Sequence, residues 1–598
     1  MSSQARDLAT QEQELIAEVS PARLMETTAA IARWERLSGT PDEAKAFDYI
    51  QEELDKAGLT THRYSHPALV SWPEAAALTL RTASGELSLP AKTHAFAAPA
   101  PEGIEGELVD AGRGTAADLA NVDLRGKIAL IDGIIAPNHN LRVEQAGAIA
   151  SIWIAGQRLH ERALSPVWGT PTPETAGLLP KTPSVSVLAT EGARIKEALA
   201  HGEVRARLTT RVYQAWHQLP IVTGDLAPSR PGPEADEFVL FSGHVDSWYY
   251  GAMDNGTANA TQLEVARILA GHRDELRRGV RFAFWSGHSH ARYAGSAWYA
   301  DNFWHDLHEH CVAHVNIDSV GGMGASILSE GNTMEEVRAF VSDAVEPVAG
   351  ERLAARRYGR AGDQSFWGHG IPAMLMSLSA QPAENVDPAL AALHHQISGG
   401  ESKSGGLGWW WHTPEDTIDK IDPALLERDA RIYTLLVYRL ATTKLLPFDY
   451  AAVVADLQQN AARLQAAAGQ HFDLAPLVDS LDELRQGVER LAASLRARGG
   501  DVDDAQAARV NQALMDLGRA LIPVDYTATG MFDHDLAVPT SPLPALQAAA
   551  RLADLESDQS AYQFQRTRLT RERNRAVYGL RQANQAVARA LAALGGER

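Results

Sequence analysis

Short apolar runs alternate with amphipathic stretches between residues 211 and 445. Segments 238–241, 280–284, 312–315 and 372–375 are brief and dominated by apolar side chains, the pattern of strands covered on both faces of a sheet. Helical patterns such as 257–270 separate them. The alternation predicts an α/β layer with a mostly parallel mixed sheet flanked by helices. Ligands of such sheets lie beyond the carboxyl ends of the strands. His244, His288 and Asp318 each follow one of these runs, so a common site along that edge is expected.

The flanking regions have different patterns. Residues 10–60 read as helical, with Thr40 as N-cap, Pro41 in the first turn and Glu43 placed to close a capping box. Phe47, Ile50 and Leu54 then follow at core spacing, and Gly58 ends the helix. Residues 76–210 carry short alternating strands broken by Gly and Pro, at 107–114, 126–131, 146–149 and 183–187. Residues 446–598 are mainly helical. There Leu477, Leu481, Leu484, Val488, Leu491 and Leu495 form one apolar seam, expected to pack within a bundle rather than between chains. The Arg-rich stretch 566–575 reads as a solvated or salt-bridged helix face. Three units follow: 1–75 with 211–445, then 76–210, then 446–598.

Composition removes several function classes. At 598 residues the chain exceeds one comfortable core. Its 55 basic against 75 acidic residues, a formal charge of −20, argue against a nucleic-acid footprint. No run reaches the roughly 20 apolar residues of a membrane span, and the polar N-terminus shows no signal peptide, so a cytoplasmic protein with no membrane partner is expected. The single cysteine, Cys311, excludes an internal disulfide and reads as a buried strand thiol.

Four segments carry candidate chemistry. Phe241-Ser-Gly-His244-Val-Asp246-Ser-Trp248, Asp254-Asn255-Gly256, Asn316-Ile-Asp318 and His412-Thr-Pro-Glu-Asp416-Thr occur in this order. The set resembles the co-catalytic zinc exopeptidases, most closely their glutamate carboxypeptidase II and transferrin receptor branch. The resemblance implies a zinc aminopeptidase-like fold. It also implies His244 and Asp318 as terminal ligands of one ion, Asp254 as the bridge, and His412 as terminal ligand of the other. Asp246 falls where the family keeps an acid that supports the metal–water site. Imidazole nitrogen and carboxylate oxygen suit zinc at about 2.0–2.2 Å, and two ions roughly 3.5–4 Å apart need a bridging group. One or two divalent ions, zinc first, are expected. Residues 76–210 resemble the protease-associated domain inserted in this branch. Residues 446–598 resemble its dimerisation domain at Arg519-Ala-Leu-Ile-Pro-Val-Asp-Tyr526, Phe532-Asp-His-Asp535, Pro542-Leu-Pro544 and Arg571-Glu-Arg-Asn574. A homodimer through that helical region is thereby implied.

One segment departs from the family. Where relatives carry a Glu-Glu pair, general base and metal ligand, this chain has Trp285-Ser-Gly-His288-Ser289-His290-Ala-Arg-Tyr-Ala-Gly-Ser296. Counting from Trp285 puts His288 at the base and Ser289 at the ligand position. Counting back from Gly295 and Ser296 puts Ser289 at the base and His290 at the ligand, because the segment is one residue longer. Neutral serine is a poor zinc ligand. The preferred reading is His290 as ligand and His288 as proton shuttle, since imidazole titrates near ~6.5; the reverse assignment stays open. Losing one negative charge at the cluster leaves the metal element open as well.

The pocket is read from aromatics and glycines. The loop 362–372 resembles the family's substrate-closing loop, making His369 either an oxyanion stabiliser or a plain loop histidine. Residues 399–408 form a polar, glycine-hinged run before Trp409, Trp410, Trp411 and His412. With Trp248, Tyr249 and Tyr250 opposite, Trp410 and Trp411 are expected to form aromatic walls. Such walls suit an apolar or aromatic acyl or amine group, while Arg292 and Arg360 stand as unsupported anion readers. The expected function is a metal-dependent hydrolase cleaving a C–N bond of a small amide or peptide-like substrate through metal-activated water, with histidine replacing the glutamate base. Two alternatives are a Lewis-acid lyase or cyclase on the same frame, and a non-catalytic dimeric binding protein.

Overall fold

The computed structural model describes residues 3–230, 232–328, 331–397, 403–498 and 501–595. After helices α1 (Pro21–Ile31) and α2 (Pro41–Lys56), the chain enters a 23-residue strand, β1 (Thr60–Thr82). Strands β2 (Ala100–Asp110), β3 (Ile128–Asp132), β4 (Ala150–Ile154) and β5 (Ser184–Val187) follow, each parallel to the next. The 22-residue β6 (Arg205–Leu226) brings the chain back. Then come β7 (Phe238–His244), helix α3 (Ala258–Gly271), β8 (Gly279–Trp285), helix α4 (Ala294–Asn302), β9 (Cys311–Asn316) and the short β10 (Ala373–Met374). These four strands are the apolar runs of the sequence.

In the sheet, β7 lies between β8 and β9 and is parallel to both; β10 is parallel to β9, and β8 is antiparallel to β6. Every residue of β7 and β9 is buried, as expected of parallel strands covered by helices on both faces. Cys311 opens β9, where burial pushes its thiol up to about 12.

The long strands join two units in one sheet. β6 pairs with β8 through residues 221–226 and with β2 through residues 205–210, while β1 runs antiparallel to it from Thr60 to Arg81. Their pairing slips once, between Pro73 and Ala75, opposite Val212 and Arg211. The divisions expected at 75/76 and 210/211 therefore fall inside two continuous strands, at their single bulge.

Thr40 caps α2 by accepting from the Glu43 N–H, but the other half of the capping box is not made. The Glu43 carboxylate accepts from the Gly39 N–H and the Ser286 hydroxyl instead. It is fully buried beneath the end of β8, and that burial raises its pKa well above the usual carboxylate value.

Helix α5 (Pro423–Thr442) packs on the α/β unit, and the C-terminal region contains α6 (Tyr450–Ala468), α7 (Ala475–Arg498), α8 (Asp504–Tyr526) and α9 (Ser560–Ala593). The seam of α7 is buried from Leu477 to Leu491 and faces α6 and α9 of the same chain, with Leu495 half-buried at its end. Among the described residues no helix is long and apolar enough to cross a membrane.

Candidate metal centre

His244 is the last residue of β7, and its Nδ1–H donates to the Asp246 carbonyl at 2.8 Å. That leaves Nε2 facing Asp254 Oδ1 at 3.2 Å and Asp318 Oδ2 at 3.6 Å. The other oxygen of Asp254 lies 3.1 Å from His412 Nε2. His412 is oriented in the same way, its Nδ1–H donating to the Glu161 carbonyl at 2.8 Å, while the Glu161 N–H donates to the His412 carbonyl at 3.0 Å. Asp254 thus offers one oxygen to each imidazole, the disposition of a bridging carboxylate. Asp416 holds its backbone by accepting from the N–H groups of Met253 and Asp254, and Asp318 follows β9 with its N–H on the Met376 carbonyl.

This donor set fits a divalent cation. Each imidazole carries its proton on the nitrogen turned to a carbonyl, so a neutral ring presents a lone pair to Asp254. A lone pair facing a carboxylate oxygen at that distance is repulsive unless a positive charge lies between them. Burial lowers the proton affinity of His244, yet Asp254 and Asp318 outweigh it and raise its pKa well above normal. The buried cluster requires a positive charge, and its ligand types are those of zinc sites.

The loop after β8 is pinned by Asp246. Its carboxylate accepts from the N–H groups of His288 (3.0 Å) and Ser289 (2.9 Å) and from the Ser38 hydroxyl (2.9 Å). Asp246, expected as a metal-side acid, thus also anchors this loop. His288 stacks on His244 with ring centres 3.8 Å apart and planes 17° from parallel, and donates from Nδ1 to Asp363 at 2.8 Å. One donor atom each from His244, His288 and Asp318 lies within 4.8 Å of the others. His290 goes elsewhere: its Nδ1 is 3.0 Å from the Ser38 hydroxyl, and its buried Nε2 has no hydrogen-bond partner. Its ring packs on Trp248 at 4.2 Å. The geometry brings His288, rather than His290, to the cluster.

Of its two readings, His369 takes that of a plain loop histidine. Its Nε2 sits 3.0 Å from the Ala300 carbonyl and its ring packs beside Trp304 and Phe366, outside the cavity over the metal donors. Arg360 is also structural, donating to the Gln364 and Asp535 carbonyls over Trp168 and Trp367. Of the five expected aromatic walls, Trp248 and Trp411 line the cavity. Tyr249 instead donates its hydroxyl to Glu161 at 2.7 Å beside Lys92, Tyr250 is 41% exposed, and Trp410 is buried against Trp409. In the glycine-hinged run, residues 399–402 lie outside the described residues.

The cavity measures about 190 Å³ and opens onto Asp254, Asp318 and His412. Besides Trp248 and Trp411 it is lined by Tyr293, Arg162 and Arg292. Arg162 donates from Nε to the Ile135 carbonyl and Arg292 from Nε to the Ser165 carbonyl. Neither has a carboxylate partner among the described residues. Burial and the nearby Arg292 lower the Arg162 pKa to about 10. Sequence reasoning missed Arg162, Asp363 and Glu161, whose roles depend on contacts between distant segments. It also missed Arg36, a buried guanidinium donating to the carbonyls of Ile31, Trp34, Val245, Tyr250 and Gly251. Carbonyl acceptors leave no side-chain signature, so nothing in the chain pointed to it.

Comparison with known proteins places this geometry. Residues 222–437 match the model of Peptidase family M28. The chain is 26% identical over 515 residues to the probable glutamate carboxypeptidase VP8 of Zea mays, covering 73% of this chain and 69% of that protein. It is 25% identical over 415 residues to the aminopeptidase YwaD of Bacillus subtilis, covering 67% and 80%. Against the mouse aminopeptidase NAALADL1 it is 24% identical over 375 residues, 58% of this chain and 48% of that protein. Among solved structures, an aminopeptidase from Aneurinibacillus sp. strain AM-1 superposes with a TM-score of 0.54 at 22% identity, over 72% of this chain and 96% of that one. The zinc aminopeptidase BSAP of Bacillus subtilis gives 0.50 at 23%, over 72% and 96%. These two likenesses establish the fold of the α/β unit.

Proposed function

We propose, from the match of residues 222–437 to the model of Peptidase family M28, that this chain is a metal-dependent exopeptidase-like hydrolase of small peptide-like amides. The observation that carries the reading is the Asp254 carboxylate held between the Nε2 atoms of His244 and His412, each ring fixed by a carbonyl behind it. When bound, a divalent ion at such a carboxylate polarises the scissile carbonyl and acidifies water. The relatives named as carboxypeptidases and aminopeptidases support a peptide substrate, and zinc is supported by the structure named as a zinc aminopeptidase.

The chain's own groups do the rest. We assign proton transfer to His288: Asp363 keeps a proton on its Nδ1 and so fixes Nε2 as the basic atom. Trp248, Trp411 and Tyr293 favour an apolar or aromatic group on the substrate. Arg162 and Arg292, with no carboxylate partner among the described residues, favour a carboxylate on it as well. The contact between Glu161 and His412 supports reading 76–210, the protease-associated-like segment, as a wall of the site. Exposed Phe532, Phe564 and Tyr578, at 73%, 73% and 64%, support homodimerisation through 446–598.

The test is a panel of dipeptides and N-acyl amino acids, each paired with its C-terminal amide, offered to metal-replete protein. Free-carboxylate substrates with an aromatic or branched residue should be hydrolysed fastest. Absence of turnover throughout the panel would reject the hydrolase reading.

A further inference from the structure

The two metal positions around Asp254 are unequal. At the first, His244 Nε2 faces Asp254 Oδ1 at 3.2 Å and Asp318 Oδ2 at 3.6 Å, and a nitrogen of His288 lies within 4.8 Å of the His244 and Asp318 donors. Three protein donors with one position left open is a common arrangement for a catalytic zinc. The second has two, Asp254 Oδ2 and His412 Nε2, at 3.1 Å.

Neither histidine of the 288–290 segment completes the second position. The lone pair of an imidazole nitrogen lies in the ring plane. His288 stacks on His244 at 3.8 Å and 17°, and its donor atom groups with those of His244 and Asp318, not with that of His412. His290 is fully buried against Ser38 and Asp246, and its ring packs on the indole of Trp248, whose centre is 6.1 Å from that of His412. Ser289 lines the cavity, but a neutral hydroxyl contributes little to a zinc site. Among the described residues no other histidine, cysteine or acid joins a donor group there.

We infer that the chain holds one divalent ion tightly, at His244–Asp254–Asp318, and that the position at His412 is a weak site filled only when free metal or a metal-binding substrate supplies it. This rests on the metal-dependent reading above but departs from a pair of equivalent ions. A carboxylate shared with the first ion and a single imidazole form a site with no private anionic donor. Its affinity should fall below that of the first by roughly 100-fold or more, since loss of even an outer partner costs about 10–100-fold.

The experiment is elemental analysis of the purified full-length protein after dialysis against metal-free buffer, followed by calorimetric titration with zinc. One equivalent should survive dialysis, and a second should bind at least about 100-fold more weakly. His412→Ala should retain the tight equivalent and lose the weak one, while Asp318→Ala should lose the tight one; circular dichroism checks that each variant is folded. His290→Ala should match the wild type in both steps. Two equivalents surviving dialysis, or His412→Ala emptying the tight site, would overturn the inference while leaving a metal-dependent hydrolase intact. No zinc bound by folded wild type at any concentration would overturn both. One tight equivalent with no turnover in the substrate panel would uphold the inference and reject the hydrolase reading.

Discussion

His412 and Glu161 exchange two hydrogen bonds, Nδ1–H to carbonyl at 2.8 Å and N–H to carbonyl at 3.0 Å, although they lie 251 residues apart. Glu161 belongs to the segment between β4 and β5, outside the strands that carry the other donors. The ring of His412, a candidate metal donor, is therefore held by the segment between β4 and β5. Lys92 and the Tyr249 hydroxyl clamp the Glu161 side chain in turn.

That clamp can be loosened without touching a metal donor. Tyr249→Phe or Lys92→Met should lower kcat/KM by about 10-fold, the scale of losing an outer-shell partner, and should leave the tight zinc equivalent in place. Steady-state kinetics beside elemental analysis checks this; an unchanged kcat/KM in both variants would mean that the backbone contact alone suffices.

Arg36 is the structural key to the loop from 245 to 251. Its five donated hydrogen bonds end on backbone carbonyls of two segments, and the side chain is completely buried. Arg36→Lys keeps the charge but offers three donors where five acceptors wait. The expected loss is about 3 kcal/mol or more of unfolding free energy, because unpaired buried carbonyls and a poorly solvated charge remain. Urea denaturation should show the midpoint falling; a shift equivalent to less than about 1 kcal/mol would contradict this account.

A pH dependence is built into the seam between the α/β unit and the helices. Glu336 is buried, and its carboxyl is pushed up to about 8, first by burial and then by Asp525 and Glu335, with Arg357 opposing. An acid whose folded pKa lies above its ordinary 4.5 stays protonated in the native state while the unfolded chain has already ionised. Its favourable contribution is complete below pH 4.5 and is lost progressively as pH rises to about 8. Glu336→Gln removes the titration. Melting temperatures of the two proteins should converge, or reverse in the variant's favour, between pH 5 and pH 8; parallel curves would refute the assignment.

Arg162 tests the substrate. Arg162→Met should raise KM about 10-fold or more for a free-carboxylate substrate, the worth of one charge-assisted hydrogen bond, and change it little for the corresponding amide. Equal effects on the pair would show that the guanidinium shapes the cavity without reading charge.

Much of the α/β unit was legible because its signals are local. Four apolar runs became β7 to β10, and His244, Asp254, Asp318 and His412 meet where strand ends converge. The readings that failed needed contacts between segments remote in sequence. Glu43 has the spacing of a capping box, but a buried hydroxyl on Ser286 competes for its carboxylate. Spacing alone leaves His288 and His290 open as the ligand, and the Asp246 carboxylate, gripping the backbone of residues 288 and 289, sets which ring reaches the cluster. His369 has the right neighbours in sequence and the wrong ones in space, on Trp304 and the Ala300 carbonyl. A run of tryptophans cannot reveal that Trp411 faces the cavity while Trp410 turns inward.

The bulge shared by β1 and β6 has an engineering consequence. Trp72 stands directly across from Tyr213, with their rings stacked at 4.2 Å, so the two chain ends left by excising everything between them would already be neighbours in register. A two-residue Asn-Gly turn could close them into a hairpin, giving a shortened protein whose central sheet keeps its order. Such a deletion would also discard Glu161, freeing the His412 ring to rotate about its side-chain bonds. The sheet can spare that segment, but the His412 ring that Glu161 steadies cannot.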